Sequence, residues 1–212
     1  MCAISGAPTL EKAFDLYQNG LERGHYSSGL LIVTKESPYI LKQKDPFNLK
    51  ELKKYTRSYK EDIIYCAFHS RAPTNTIEEK WDHETTHPFN FCSYYVAHNG
   101  IINNFKQFPE NSEFLVDSSI IPYHLSHNNG NISQTYSKYT GLLTSWIFES
   151  AENKFNLVKA GSSLHRDKDS FSSVSFPGSV NIERDGIIFE LTKDRNLQEI
   201  SDFNYNNPYF LL

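Results

Sequence analysis

The sequence predicts an α+β domain built of packed layers. Strand-like stretches gather towards both ends of the 212-residue chain around a helical middle, and no linker-like change of composition divides it. Core residues are plentiful: hydrophobic side chains make up 39% of the chain, with 15 Phe and 13 Tyr. A chain of this length can bury roughly 70% of its unfolded surface and needs no disulfide or structural metal to fold. We therefore expect one domain over residues 1–212.

The elements follow in order. After Pro8 and Thr9, the residues Leu10, Ala13, Phe14, Tyr17 and Leu21 recur at the three-and-four spacing of an amphipathic helix, which Gly20 and Gly24 stop. Residues 29–34 and 39–42 read as paired strands about a turn at Ser37-Pro38, and a polar helix is expected over 48–58. β-Branched and aromatic content marks strands at 63–69 and 91–98, separated by a long polar loop. Helices are expected over 117–126, despite Pro122, and over 134–139. Strands then fill 142–149, 155–160, 171–176 and 187–192.

Composition narrows the classes of function. Twenty-one basic against 25 acidic residues give a net charge of −4. The Lys-rich stretch 42–60 is interrupted by Asp45 and Glu51, as in a solvated helix face rather than a nucleic-acid surface. Cys2, Cys66 and Cys92 lack C-x-x-C spacing, which argues against a disulfide framework or zinc knuckle and for a reducing compartment. No apolar run approaches the ~18 residues of a membrane span, and the first six residues lack the basic start of a signal peptide. A cytoplasmic protein with neither nucleic acid nor membrane as partner is expected.

Four positions could carry chemistry. Cys2 directly follows Met1, and trimming of the initiator would leave a thiol and a free amine on one residue. An α-amino group titrates near ~8 and can accept the thiol proton; the plain alternative is a small residue after the start. Ala97-His98-Asn99-Gly100 closes an expected strand, where a turn would present an amide side chain and an approachable backbone N–H. Two such donors make an oxyanion hole, at about 3 kcal/mol per donor, although Asn-Gly turns are common. Arg71-Ala72-Pro73-Thr74 follows a strand end and suits bidentate capture of a carboxylate, unless Arg71 is simply a surface arginine. Asp117 opens a helix and fits an N-cap or the partner of a cationic amine. His83-Glu84-Thr85-Thr86-His87 spells the zinc-protease pattern H-E-x-x-H, which requires a helix. The β-branched pair and Pro88 oppose one, so coincidence is the reading.

Taken together, these pieces resemble the class II, N-terminal-nucleophile glutamine amidotransferase domain, most closely the glutaminase domains of amidophosphoribosyltransferase and glucosamine-6-phosphate synthase. Met1-Cys2-Ala3-Ile4-Ser5-Gly6 is similar to that family's Cys-Gly-Ile start, and Arg23-Gly24-His25-Tyr26-Ser27-Ser28-Gly29 to its Arg-Gly-x-Asp-Ser-x-Gly segment. His69-Ser70-Arg71-Ala72-Pro73-Thr74 resembles the glutamine loop, His87-Pro88-Phe89 the Gln-Pro-Phe element, His98-Asn99-Gly100 the oxyanion element, and Val116-Asp117-Ser118-Ser119 the Asp-Ser-Glu element. The matches span residues 1–121, and 127–212 holds no diagnostic motif. Three positions depart from the pattern: Ala3 for Gly, Tyr26 for Asp and Ser119 for Glu.

The resemblance implies a four-layer αββα sandwich with Cys2 at the end of a central strand. It implies that Cys2 attacks the side-chain amide of glutamine while its own amine shuttles the proton, through a thioester that water opens to glutamate. Asn99 and Gly100 would hold the oxyanion. Arg71 and Thr74 would bind the α-carboxylate, Asp117 the α-ammonium, and His87 would line the substrate pocket. No cofactor or metal is implied. With no room left for an acceptor domain, the ammonia is expected to pass to a synthase on another chain. The alternatives are a stand-alone amidase acting on a γ-glutamyl conjugate, and a catalytically silent regulatory subunit.

Overall fold

The computed structural model describes residues 2–72 and 82–206. The chain begins with β1 (Ala3–Ala7), α1 (Leu10–Gly20), β2 (Ser27–Thr34), β3 (Pro38–Gln43), α2 (Leu49–Tyr55) and β4 (Ile63–Arg71). After the loop come β5 (Phe89–Phe91), β6 (Tyr94–Ile102), α3 (Ile120–His127), α4 (Ile132–Tyr136), β7 (Gly141–Glu149) and β8 (Lys154–Lys159). The last elements are β9 (His165–Arg166), β10 (Phe171–Ser172), β11 (Val180–Asn181), β12 (Ile187–Leu191) and β13 (Leu197–Asp202). Two compact units interleave in sequence, one from Met1–Pro88 and His165–Val180, the other from Phe89–Leu164 and Asn181–Leu212.

The first unit is built on a sheet of order β11-β9-β10-β1-β4-β2-β3, in which β1 pairs antiparallel with β4 on one side and β10 on the other. Thr9 caps α1 by accepting the Lys12 N–H at 3.3 Å, and Leu10, Ala13, Phe14 and Tyr17 form the buried stripe that the spacing predicts. That stripe packs on Leu30, Ile32, Cys66 and Phe68 of β2 and β4. Tyr17 stacks on Phe68 with ring centroids 4.7 Å apart, and its phenol meets Ser28 Oγ at 2.5 Å while accepting the Phe47 N–H at 3.1 Å. One side chain thus joins helix, sheet and the approach to α2.

The second unit is a sheet of order β13-β12-β8-β7-β6-β5 whose core includes Val96, Leu143, Ile147, Val158 and Ile188 against Ile120, Ile121, Leu125 and Tyr136 of α3 and α4. Pro122 is the third residue of α3, where its missing N–H has no intrahelical acceptor to lose. No helix among the described residues is long and apolar enough to cross a membrane.

Several expectations needed correction. The stretch 91–98 is not one strand: Cys92, with φ of 50°, turns the chain between β5 and β6. Asn99-Gly100 is no turn but lies inside β6, which runs on to Ile102. α2 stops at Tyr55, and only Phe171–Ser172 of 171–176 joins a ladder. β13 escaped notice because Leu197 is its one buried residue. His83 to His87 form a turn rather than a helix, and no metal-binding group occurs among the described residues.

Tyr17→Phe removes the phenol shared by Ser28 and the Phe47 N–H while keeping the stacked ring. We expect a loss of about 1–3 kcal/mol, read as a lower urea midpoint with an unchanged slope; an unchanged midpoint would show that these bonds add nothing to stability.

Candidate active site

In the first unit, Cys2 immediately precedes β1, a strand paired on both sides. The register Ala3↔Ser70 and Ile4↔His69, carried one step back, sets Cys2 beside Arg71. The Cys2 Sγ lies 3.8 Å from the Ala72 carbonyl oxygen. Arg23 supplies a cation: burial pushes its guanidinium down from the ordinary arginine range, the neighbouring Cys2 sulfur opposes that shift, and Nη1 donates to Ser173 O at 2.9 Å. Sequence reasoning had not assigned Arg23 a role, although the Arg-Gly segment contained it.

Arg71 ends β4 with its guanidinium 5.6 Å from the centre of the Tyr26 ring and Nη1 3.5 Å from Thr85 Oγ1. The Tyr26 N–H donates to Arg71 O at 2.9 Å, so this tyrosine both fixes the strand end and supports the cation. Thr74 lies outside the described residues. His87 is buried with its ring 3.9 Å from that of His69, and its peptide to Pro88 is cis. Two glycines fit their backbone neighbours closely. A β-carbon on Gly24 would meet Ala72 N at 2.6 Å, and one on Gly29 would meet His87 O at 1.8 Å. Lys42 donates to His83 O at 3.3 Å, and burial pushes its ammonium down to about 8 against the pull of Asp82 and Glu84.

In the second unit, Asn99 and Gly100 sit in β6 opposite Thr144 and Leu143. Asn99 is buried, and its carbonyl accepts the Ser162 hydroxyl at 2.8 Å. Gly100 has no alternative, since a β-carbon there would stand 1.7 Å from Leu142 O. His98 anchors the strand from both ring nitrogens, with Nε2 2.7 Å from Leu142 O and Nδ1 2.9 Å from Ser118 Oγ. Burial pushes His98 down from the usual histidine range, with Asp117 opposing. It is therefore the neutral ring whose Nε2–H donates to the carbonyl and whose Nδ1 accepts the Ser118 hydroxyl.

Asp117 is not the expected N-cap, since α3 starts at Ile120 with Ser119 before it, and its carboxylate is a cross-link instead. Its Oδ1 accepts the Ser118 N–H at 2.8 Å and its Oδ2 the Ile102 N–H at 2.6 Å, which ties the turn before α3 to the end of β6. A carboxylate has about four acceptor positions, so room remains for an ammonium. Each unit thus assembles its own share of the expected residues: Cys2, Arg71 and His87 in one, Asn99, Gly100 and Asp117 in the other.

No protein-family model matches this chain, and no curated protein matches it in sequence. Solved structures do match. Glutamine phosphoribosylpyrophosphate amidotransferase from B. subtilis, in complex with ADP and GMP, is similar at a TM-score of 0.68 and 15% identity over 98% of this chain and 50% of its own. A structure described as the allosteric regulatory enzyme of purine biosynthesis is similar at 0.67 and 17% identity, over 97% of this chain and 50% of its own. This chain therefore spans about half the length of these two proteins. A glutamine aminotransferase class-II domain protein from Silicibacter pomeroyi is similar at 0.58 and 12% identity, over 96% of this chain and 99% of its own. The chain has the α+β fold of class II glutamine amidotransferase domains, the sandwich of the N-terminal-nucleophile hydrolase type.

Proposed function

We propose that this chain is a single glutaminase domain that hydrolyses the side-chain amide of glutamine with Cys2 as nucleophile. The observation that carries the reading is the place of Cys2 at the head of a doubly paired strand, beside Arg71, in this fold. With Met1 removed, the Cys2 amine takes the thiol proton, and the thiolate attacks the amide carbon. The same proton goes to the leaving nitrogen, ammonia departs, and a thioester remains. Water then opens the thioester with the amine as base, and glutamate leaves.

Asn99 Nδ2 and the Gly100 N–H are the proposed donors to the oxyanion, and their strand is held rigid by His98 and Ser162. Such donors contribute most when fixed beforehand. Arg71, together with Thr74, binds the α-carboxylate, Asp117 the α-ammonium, and His87 lines the substrate pocket. The Arg23 guanidinium sets a fixed positive charge near the sulfur, which favours the anionic nucleophile. We propose further that the ammonia passes to a synthase on another chain.

Cys2→Ala is expected to abolish release of glutamate from glutamine while leaving the circular-dichroism spectrum and melting curve nearly unchanged. Mass spectrometry of the active protein should show Met1 absent, and a full rate in Cys2→Ala would end the reading. Asn99→Ala should lower kcat by roughly 10²-fold with little change in KM. Arg71→Ala should chiefly raise KM, since the α-carboxylate is bound in ground and transition states alike; identical signatures would mean the roles are wrongly divided. The separate synthase is tested by affinity purification of the intact chain: a co-purifying synthase should raise the glutaminase rate, and a full rate in isolation that no partner alters would favour a stand-alone amidase.

A further inference from the structure

Residues 82–87 of the first unit lie across one face of its sheet and touch three of its strands. Residues opposite each other in paired strands share a face, and so do residues two apart along one strand. Ser27 stands opposite Arg71, and Gly29 opposite both His69 and Lys42, so these five positions make one face over β4, β2 and β3. The turn meets each strand through a different residue. Thr85 Oγ1 lies 3.5 Å from Arg71 Nη1 on β4, Thr86 Oγ1 lies 3.2 Å from Ser27 Oγ on β2, and the His83 carbonyl accepts from Lys42 Nζ of β3 at 3.3 Å.

The turn is closed by its own hydroxyls. Thr85 Oγ1 and Thr86 Oγ1 both donate to Asp82 O, at 3.2 and 3.0 Å, and the Glu84 N–H donates to Asp82 Oδ1 at 2.7 Å. A hydroxyl has one proton, and that of Thr85 is committed to Asp82 O, so it meets Arg71 as an acceptor. The guanidinium also stands over the Tyr26 ring, 5.6 Å from its centre. An edge contact and a face contact together fix the plane of a guanidinium, and a fork that grips a carboxylate with two N–H bonds depends on that plane. Thr86 is buried, and its bonds and that of Lys42 hold the turn without using the Thr85 hydroxyl.

We propose that Thr85 is a positioning residue whose hydroxyl orients the Arg71 guanidinium for the α-carboxylate of the substrate. The use of Arg71 rests on its assignment to that carboxylate in the proposed glutaminase, whereas the orientation itself does not. Thr85 acts through Arg71 and takes no part in the chemistry at Cys2. It therefore sets substrate affinity and leaves the turnover of the bound complex alone.

Two measurements on the full chain separate these parts. In nitrogen relaxation of isotope-labelled protein, the Arg71 Nε–H signal, identified by its loss in Arg71→Lys, should show a lower order parameter in Thr85→Val and an unchanged one in Thr85→Ser. In glutaminase assays, Thr85→Val should raise KM for glutamine about threefold or more with kcat nearly constant, as fits a hydrogen bond at the long end of its range. Thr85→Ser should restore the original KM, and Thr85→Ala should behave as Thr85→Val. Inhibition by L-glutamate, which keeps the α-carboxylate, should weaken by the same factor as KM rises. Retained melting curves would confirm that the variants fold. An Arg71 equally ordered in Thr85→Val would overturn the proposal, as would a fall in kcat at constant KM or a Thr85→Ser protein no better than Thr85→Val. Loss of order with neither constant altered would uphold the orientation and overturn the carboxylate-binding role of Arg71.

Discussion

Two close backbone approaches within one short stretch set the geometry of the first unit's candidate residues. Gly24 touches the Arg71–Ala72 peptide and Gly29 touches His87, so a stretch of β2 and the turn before it grips the chain where it leaves β4 and again where it returns at residue 87. Any larger residue would drive the two chains apart, because the clashing atoms are backbone and have no rotamer to change. Ala72 in turn lies against the Cys2 sulfur, and Tyr26, between the two glycines, holds Arg71 by hydrogen bond and by its ring. Cys2, Arg71 and the buried His87 thus inherit their positions from the same few contacts.

The departures from the family pattern find their answer in these neighbours. Ala3 buries its methyl group facing Gly20, where a β-carbon would come within 3.0 Å of it, so the space given up at position 3 is recovered at the end of α1. Tyr26 replaces a carboxylate with an aromatic face, another way to stabilise an arginine. Ser119 turns its hydroxyl back to Val116 O at 2.7 Å and works as a local turn-former.

Much of the fold was legible in the sequence because burial writes a period into it. α1 showed its stripe and its Thr9 cap, and β2, β4 and β7 showed dense β-branched and aromatic runs. Elements without a period stayed hidden. β13 is exposed along most of its length, and the break between β5 and β6 depends on Cys92 adopting a left-handed conformation that favours glycine or asparagine. The candidate site was legible as motifs but not as contacts. Asp117 looked like the N-cap of a helix, but α3 begins only at Ile120, and the carboxylate instead holds the Ser118 N–H and, through its second oxygen, the backbone of β6, fifteen residues away in sequence. Nothing local announces that bond, nor the one from Ser162 to Asn99 across 63 residues. The motif positions were found because they resemble a family, and their support could be seen only in three dimensions.

The first strand completes its ladder from two distant parts of the chain. β4 reaches it from residues 63–71, but its other neighbour is β10, and the Ile4 N–H finds its acceptor in Ser173 Oγ, 169 residues later. As the polypeptide emerges from the ribosome, that edge of β1 must remain open until most of the chain has been made. An open hydrogen-bonding edge flanked by buried side chains invites pairing with the wrong strand, and distant partners slow the search for the right one. The strand that follows the proposed nucleophile therefore keeps one edge open through most of synthesis, until residues 171–173 arrive.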